Sequence, residues 1–176
     1  MGLTKPIEQN LLSYQGTFMY LKDIIRGGKA MNEQLNEVIM FANQNPSCWL
    51  ATNEDDQPRV RGMLLWFADE TGFYFHTGRV KNLYHQITKH PKVEAAFIRN
   101  ADQPDFETLR VAGTMEVLED EELEKRLFLE RPWLLDNLKR AQSDSDVAIF
   151  RIVNGTATIW NMNYNLKENS APKVSF

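Results

Sequence analysis

Residues 47–77, SCWLATNEDDQPRVRGMLLWFADETGFYFHT, contain three apolar runs that are separated by short polar segments. The runs are 47–52, 58–68 and 73–77, and the segments between them are rich in Asp and Glu. Such runs predict strands, and polar segments this short predict turns between neighbouring antiparallel strands. The residues therefore predict three successive strands of one antiparallel sheet.

A helix is predicted on each side of these strands. Before them, Asn32 is a good N-cap, and apolar residues follow at helical spacing as far as Asn45-Pro46, which ends the helix. After them, one face of a second helix is formed by residues at positions i, i+3, i+4 and i+7, namely Val80, Leu83, Tyr84 and Ile87.

Two more strands and a further helical segment follow. Strands are predicted at 93–99 and 107–118, the second with Gly113 as a bend or bulge. A helical segment, broken at Pro132, is predicted over roughly 120–140. The acidic run at its start favours a helix N-terminus, because carboxylates there oppose the positive end of the helix dipole.

The last two strands are predicted at 147–153 and 156–162. They flank Asn154-Gly155, which is the strongest β-hairpin signal in the chain. Most of the predicted strands are joined by tight turns, which favours an antiparallel sheet or barrel with peripheral helices over a parallel βαβ fold.

Length and composition fit one globular domain. The chain has 176 residues, of which 43% are hydrophobic and 25% are charged. We predict the domain over residues 31–176. It is preceded by an extension, residues 1–30, whose apolar residues could form a short amphipathic helix.

Several classes of protein are disfavoured by the sequence. No apolar run is long enough to cross a bilayer, and the N-terminus lacks the layout of a signal peptide. The single cysteine, Cys48, excludes an internal disulfide framework, and these features together favour a cytoplasmic location. A net charge of −4 argues against general nucleic-acid binding.

The motifs of several enzyme classes are missing from the sequence. It has no phosphate-binding loop, no dinucleotide glycine fingerprint, no HExxH pair and no CxxC. His76, His85 and His90 have no cysteine cluster beside them, so no metal site is predicted. Cys48 lies in an apolar strand, where a buried thiol is usually inert. No catalytic acid or base is predicted.

Two neighbouring features suit an anion. Arg59 and Arg61 share one face of the second strand, together with apolar residues. The third strand runs into a predicted helix start near Val80 with Lys81 in the first turn, where free backbone N–H groups favour an anion. A solvated basic helix start would present the same residues, so both interpretations stand at this point.

The sequence resembles the pyridoxamine 5′-phosphate oxidase-like family of FMN-binding split barrels. The resemblance covers residues 33–163 and rests on QPRVR (57–61), FHTGRVK (75–81) and HPKVEAAF (90–97), in that order. It implies a mainly β fold, a six-stranded antiparallel split barrel with helices at its edges. It also implies a homodimer with FMN in grooves between the subunits.

The resemblance implies residues that bind FMN. Arg61 on the second strand and Lys81 at the helix start match the positions that hold the FMN phosphate. Met63 and Leu64 match positions that lie along the isoalloxazine ring and offer backbone groups to its polar edge.

The third and last strands contribute the other implied positions. His76 and Thr77 match residues that line the ribityl chain and the ring, and Asn82 follows at the helix start. Trp160 lies on the strand that in this family approaches the partner's flavin, and a position in the core or dimer interface is the alternative. Trp49 and Trp133 are predicted as core residues.

The sequence departs from the true oxidase at three places. Trp66 stands where the oxidase has a lysine, its basic cluster before the second helix is reduced to Lys81, and residues 160–176 lack its arginine-rich segment. The resemblance therefore implies a short family member that is distinct from the oxidase itself.

The favoured function is an FMN-dependent oxidoreductase acting on a small molecule. A flavin carrier without turnover would use the same anchors. Haem binding or breakdown on the same barrel would need an axial ligand, for which His76 and His85 are the candidates. A barrel that has lost its cofactor is the fourth alternative.

Overall fold

A computed structural model describes residues 32–140 and 147–176. The predicted extension, residues 1–30, lies outside the described residues. Within them the chain forms four α-helices and eight strands. In chain order these are α1 (32–44), β1 (Ser47–Glu54), β2 (Gln57–Leu64), β3 (Phe67–Asp69), β4 (Gly72–Gly78), α2 (Asn82–Lys89), β5 (Lys92–Arg99), β6 (Glu107–Leu118), α3 (Glu121–Glu130), α4 (Trp133–Arg140), β7 (Val147–Asn161) and β8 (Val174–Ser175).

All strands belong to one antiparallel sheet in the order β2-β1-β5-β6-β7-β4-β3, with β8 paired to β7. This confirms the prediction of a mainly β antiparallel fold with peripheral helices. The prediction of a six-stranded barrel is not confirmed, because the described sheet has eight strands and no ladder joins its edges, β2 and β3. The two additional strands, β3 and β8, have only three and two residues.

The predicted strand 58–68 is divided at Leu65 and Trp66. The Leu65 N–H donates to the Pro46 carbonyl beside β1, and the Trp66 N–H donates to the Tyr74 carbonyl on β4, both over 2.8 Å. Since successive N–H groups of an extended chain point in opposite directions, these two residues carry the chain from one edge of the sheet to the other. The edges must therefore approach to within about 11 Å, which requires a strongly curled sheet.

The predicted hairpin at Asn154-Gly155 is wrong. β7 runs through both residues as one strand, and on β6 only Gly113 stands opposite the pair, so they form a β-bulge. Asn154 has a φ of 49°, so the preference that favours a hairpin turn serves the bulge instead. A Cβ on Gly155 would lie 2.1 Å from the Ala112 carbonyl oxygen, which leaves room only for glycine.

The main core lies between one face of the sheet and helices α1 and α2. Its largest fully buried side chains include Phe41, Leu50, Phe73, Phe75, Ile87, Phe97, Leu109, Phe150 and Ile152. The alternation of strand side chains produces this layer, since Cys48, Leu50 and Thr52 of β1 are buried. The predicted α1 and the predicted strands β1, β5 and β6 are confirmed.

A second, smaller cluster packs α3 and α4 against the end of the sheet. It contains Leu127, Leu134 and Ile149, with Trp66 against them. The predicted acidic helix start is confirmed: the Asp120 carboxylate accepts from the backbone N–H groups of the first turn of α3. No described helix is long and apolar enough to cross a membrane.

The second predicted helix begins later than expected. Lys81 is the N-cap of α2 and not a residue of its first turn, and Val80 is 73% exposed. The Lys81 N–H bonds the Gly78 carbonyl, so the residues before Asn82 form a turn. The buried face of α2 consists of Leu83, Gln86 and Ile87.

Candidate functional site

Arg61 is held between β1 and α2 by two neutral acceptors. Its Nη2 donates to Thr52 Oγ1 over 2.8 Å and to Gln86 Oε1 over 2.7 Å, and Thr52 donates to the same Gln86 oxygen. Thr52 and Gln86 are buried, and burial lowers the pKa of the Arg61 guanidinium. Arg61 Nη1 is also buried, and it has no hydrogen-bond partner among residues 32–140 and 147–176.

Arg59, two residues earlier on β2, is paired in a different way. Its guanidinium bonds the Glu54 carboxylate over 2.6 Å, and both side chains are exposed. Hydrogen bonding to Arg59 lowers the pKa of the Glu54 carboxyl. Of the two arginines on this face, only Arg61 is a partly buried cation whose bonded partners carry no charge. Such a group is suited to receive an anion.

Lys81 and Thr77 lie at the start of α2, where Lys81 is the N-cap of the helix and Thr77 is near the end of β4. Thr77 is 5% exposed at the end of β4, while the Lys81 side chain is exposed and, within the described part of the chain, makes no hydrogen bond or ion pair. Gln86, which holds Arg61, follows Lys81 by five residues, or roughly 7.5 Å along the helix axis. The two predicted phosphate anchors therefore flank the same helix.

A cavity of about 620 Å³ opens between β1, β2, β5 and the start of α4. Its lining includes the predicted residues Met63, Leu64 and His76, together with Trp49, Arg131 and Trp133. This volume falls within the range of sites that bury a molecule the size of a cofactor, and the walls are largely apolar.

A second cavity of about 280 Å³ shares His76 and Trp133 with the first. It is lined by Thr77 and Lys81, and by Leu134 and Leu138 of α4. The structure thus brings five of the eight predicted residues, Met63, Leu64, His76, Thr77 and Lys81, around two adjoining cavities.

The other predicted residues lie elsewhere in the chain. Arg61 packs beside α2 and lines neither cavity, and Asn82 faces a separate cavity with His85 and His90. Trp160 pairs with Thr108 on β6 and contacts Phe106, with ring centroids 5.7 Å apart.

Trp49 and Trp133 are not core residues, which corrects the prediction. Trp49 is 57% exposed, because Cys48 and Leu50 take the inward positions of β1. Trp133 is 47% exposed at the start of α4, where its ring centroid lies 6.1 Å from that of His76. Both tryptophans line the larger cavity instead.

An exposed apolar face continues outward from this cavity. Trp49 stands opposite Gly62 on β2 and Ala96 on β5, so residues two positions away on these strands share its face. They include Val60, Leu64 and Ile98, which are 63%, 45% and 42% exposed. We call Trp49, Val60, Leu64 and Ile98 the outer apolar face.

His76 is neutral at ordinary pH. Burial, with smaller contributions from the charges of Arg131 and Lys81, lowers its pKa to about 4. Arg131 Nη1 lies 2.7 Å from His76 Nε2, and Arg131 Nη2 donates to the Leu65 carbonyl over 2.7 Å. The sequence indicates only a helix break at Pro132, so the contact between Arg131 and His76 was not predictable from it.

No metal site accompanies these residues. Among residues 32–140 and 147–176, no group of three or more His, Cys, Asp and Glu side chains is placed to hold a metal ion. Burial raises the pKa of the Cys48 thiol to about 12, so the thiol is a poor nucleophile.

The curled antiparallel sheet with peripheral helices is of the split-barrel type. The family model for pyridoxamine 5′-phosphate oxidase matches residues 31–161. The chain belongs to the pyridoxamine 5′-phosphate oxidase-like family. No curated protein matches the sequence significantly.

Solved structures show the same fold. A NimC/NimA family protein of Clostridium acetobutylicum is 24% identical, with a TM-score of 0.62 over 80% of this chain and 92% of that chain. An FAD-binding protein of Mesorhizobium loti is 17% identical, with a TM-score of 0.52 over 69% of this chain and 91% of that chain. HutZ, a haem storage protein of Vibrio cholerae, is 14% identical, with a TM-score of 0.51 over 66% of this chain and 87% of that chain.

Proposed function

We propose that this chain is an FMN-binding flavoprotein, and that it acts as an FMN-dependent oxidoreductase on a small molecule. The observation that carries the proposal is the buried Nη1 of Arg61, which has no partner among the described residues. A buried donor on a charged group is costly to leave unpaired, and a phosphate oxygen would satisfy it with a charge-assisted hydrogen bond.

The residues of the candidate site are of the types that bind FMN, namely cations for its phosphate and apolar residues for its ring. Arg61 and Lys81 would hold the phosphate beside α2, and Thr77 lines the smaller cavity together with Lys81. Met63 and Leu64 line the larger cavity on an edge strand, whose free backbone groups are suited to the polar edge of a flavin ring. Bound FMN would supply the redox chemistry, while the protein anchors it and shapes the substrate slot.

The outer apolar face supports the predicted homodimer. Monomeric proteins rarely leave a contiguous apolar patch of this kind exposed, and this patch continues from the wall of the cavity. A second copy covering it would close the cavity against water. Because Trp160 lies outside the cavity of its own subunit, any contact it makes with flavin would have to reach the partner's site.

The haem alternative is less favoured by the geometry. A haem protein shares this fold, but here Nε2 of His76 is engaged by Arg131, so ligation of iron would require that contact to break. His85 is exposed on α2, away from both cavities. The flavin-carrier alternative uses the same residues as the enzyme, and only turnover separates them.

The cofactor assignment is tested by the visible absorption spectrum of the purified protein, before and after addition of FMN and then haem. Flavin bands retained on desalting would support the proposal. A haem band without FMN uptake would overturn it in favour of the haem alternative, and no uptake of either would favour a barrel without a cofactor.

The anchors are tested by the double variant Arg61→Ala, Lys81→Ala, with FMN affinity measured by quenching of flavin fluorescence. Loss of two charge-assisted contacts is expected to weaken binding by at least about tenfold. Arg59→Ala is the matched control, because Arg59 lies on the same strand but pairs with Glu54. If the double variant binds within about threefold of the parent, less than about 0.7 kcal/mol, the proposed phosphate site is wrong.

A further inference from the structure

Arg131 joins three parts of the fold at the mouth of the larger cavity. It is the C-cap of α3, and its Nη2 donates to the carbonyl of Leu65, one of the two residues that carry the chain from β2 to β3. Its Nη1 meets Nε2 of His76 on β4 over 2.7 Å. Because two of its nitrogens are bound to different elements, the guanidinium is fixed in position relative to His76.

This contact determines where the proton of His76 lies. A guanidinium has five N–H donors and no acceptor, so the nitrogen that faces it must offer a lone pair. Nε2 of His76 is therefore the acceptor, and the single proton of the neutral imidazole must be on Nδ1. The low pKa of His76, about 4, is consistent with a ring that stays neutral beside a cation.

The Nδ1 side of the ring faces no bonded partner. Nδ1 makes no hydrogen bond to residues 32–140 or 147–176, and it is not among the buried unpaired atoms. His76 lines both adjoining cavities, with the Trp133 ring beside it. The N–H of Nδ1 is thus accessible to a molecule that occupies these cavities.

We propose that Arg131 is a positioning residue that holds His76 as its Nδ1–H tautomer, so that His76 donates a hydrogen bond to the molecule bound in the adjoining cavities. That molecule would carry an acceptor, such as a carbonyl or carboxylate oxygen, on a flat apolar frame that suits the walls formed by Trp49, Leu64 and Trp133. The donation of this hydrogen bond to a cofactor or substrate rests on the proposed function, whereas the tautomer does not.

The tautomer is tested on the FMN-free protein labelled with ¹⁵N-histidine, by long-range ¹H–¹⁵N correlation spectra at pH 7. His76 is expected to show a protonated Nδ1 and an unprotonated Nε2. The Nε2–H tautomer in the parent protein would overturn the proposal without any variant. Because no flavin is present, this outcome is independent of whether FMN binds.

Arg131→Met is expected to let His76 populate the Nε2–H tautomer. Arg131→Lys retains a donor cation, so it should keep more of the Nδ1–H tautomer than Arg131→Met does. Arg126→Met on α3 is the matched control, since Arg126 contacts Glu130 and the rings of Trp66 and Phe67. An unchanged Nδ1–H tautomer in Arg131→Met would overturn the role of Arg131. If Arg131→Met does not fold, the spectrum of the parent protein still tests the tautomer, and the spectrum of Arg131→Lys still tests the role of Arg131.

Ligand donation is tested by titrating the same FMN-free protein with benzoate, a flat ring with acceptor oxygens. We expect a saturable shift of the His76 Nδ1 resonance, and a much smaller one with aniline, which lacks an acceptor oxygen. Equal shifts with both compounds, or none with benzoate, would overturn the assignment of this N–H as the ligand donor.

Discussion

Arg61 on β2 donates a hydrogen bond to Gln86 on α2 over 2.7 Å, from a guanidinium whose other terminal nitrogen is buried. The bond aligns the edge strand of the sheet with the helix whose N-cap is Lys81. Gln86 accepts from Arg61 without neutralising it, so the positive charge of Arg61 is retained for an anion.

The first prediction concerns this neutral partner. Gln86→Glu keeps the shape of the side chain but places a carboxylate against Arg61, which should compete with a phosphate for the guanidinium. FMN affinity is expected to fall by about tenfold or more. The FMN-free protein should also lose stability, because hydrogen bonding to Gln86 helps to lower the pKa of the Glu54 carboxyl, and a carboxylate at this buried position would repel Glu54. Flavin fluorescence quenching and urea unfolding measure the two quantities.

The control for Gln86→Glu is Gln57→Glu, which makes the same change of charge at an exposed position of β2. A similar loss of affinity in both variants would mean that net charge, and not the contact with Arg61, is responsible.

The second prediction concerns pH. The pKa of His76 is about 4 in the folded protein and near 6.5 in an unfolded chain, so the unfolded state binds more protons between these values. The contribution of neutral His76 to stability is therefore complete above pH 6.5 and is lost as pH falls towards 4. The loss should be on the order of 1–3 kcal/mol, discounted for partial exposure.

The free energy of unfolding of the parent protein and of His76→Gln is measured by urea unfolding between pH 7 and pH 4.5. The parent should lose more unfolding free energy over this pH range than His76→Gln does, and the difference is the contribution of His76. His85→Gln, at an exposed position of α2, is the control. If the parent and His76→Gln lose stability in parallel, the ring does not titrate as the structure indicates.

The third prediction concerns Cys48. Its buried thiol has a pKa of about 12, so very little thiolate is present at pH 8. Alkylation by iodoacetamide should be at least about a hundredfold slower in the folded protein than in urea. Mass spectrometry reports the rate, and no other cysteine competes. Comparable rates in both states would contradict the burial of this side chain.

The fourth prediction concerns the bulge on β7. A methyl group on Gly155 would overlap the Ala112 carbonyl and lie 2.9 Å from Gly113 Cα. Gly155→Ala should therefore lower the free energy of unfolding by more than about 2 kcal/mol. Gly62→Ala is the matched control, because a Cβ there meets no atom within 4 Å. Equal stability of the two variants would show that the bulge relaxes readily.

The fifth prediction concerns the outer apolar face. If a second copy covers it, Trp49→Glu should convert a dimer into a monomer by burying an unpaired charge at the interface. Sedimentation velocity measures the change. Leu129→Glu is the control, since Leu129 is 83% exposed on α3, outside the outer apolar face. A monomeric parent protein, or a dimeric Trp49→Glu, would contradict the proposed interface.

Most elements of the fold were predictable because their signals are local. The apolar run of β1, the N-cap and periodicity of α1 and the acidic start of α3 each depend on residues within a few positions of one another. The errors occur where one local pattern serves two structures. Asn154-Gly155 suits a tight turn and a bulge equally, and the opposing strand decides between them.

The candidate site was predictable only in part. The spacing of Arg61 and Lys81, and the resemblance that the sequence carries, point to an anion at the start of α2. The sequence does not show that Gln86 would accept from Arg61, or that Arg131, 55 residues after His76, would meet its ring.

Local patterns therefore specify the kinds of element, the mainly β antiparallel class and the family, because periodicity, capping and short motifs act over a few residues. Long-range packing decided which arginine of β2 remains without a charged partner and which tryptophans face outward. It also decided on which nitrogen His76 carries its proton. These properties depend on contacts between β2, β4, α2 and the end of α3, which the curl of the sheet brings together from distant parts of the chain.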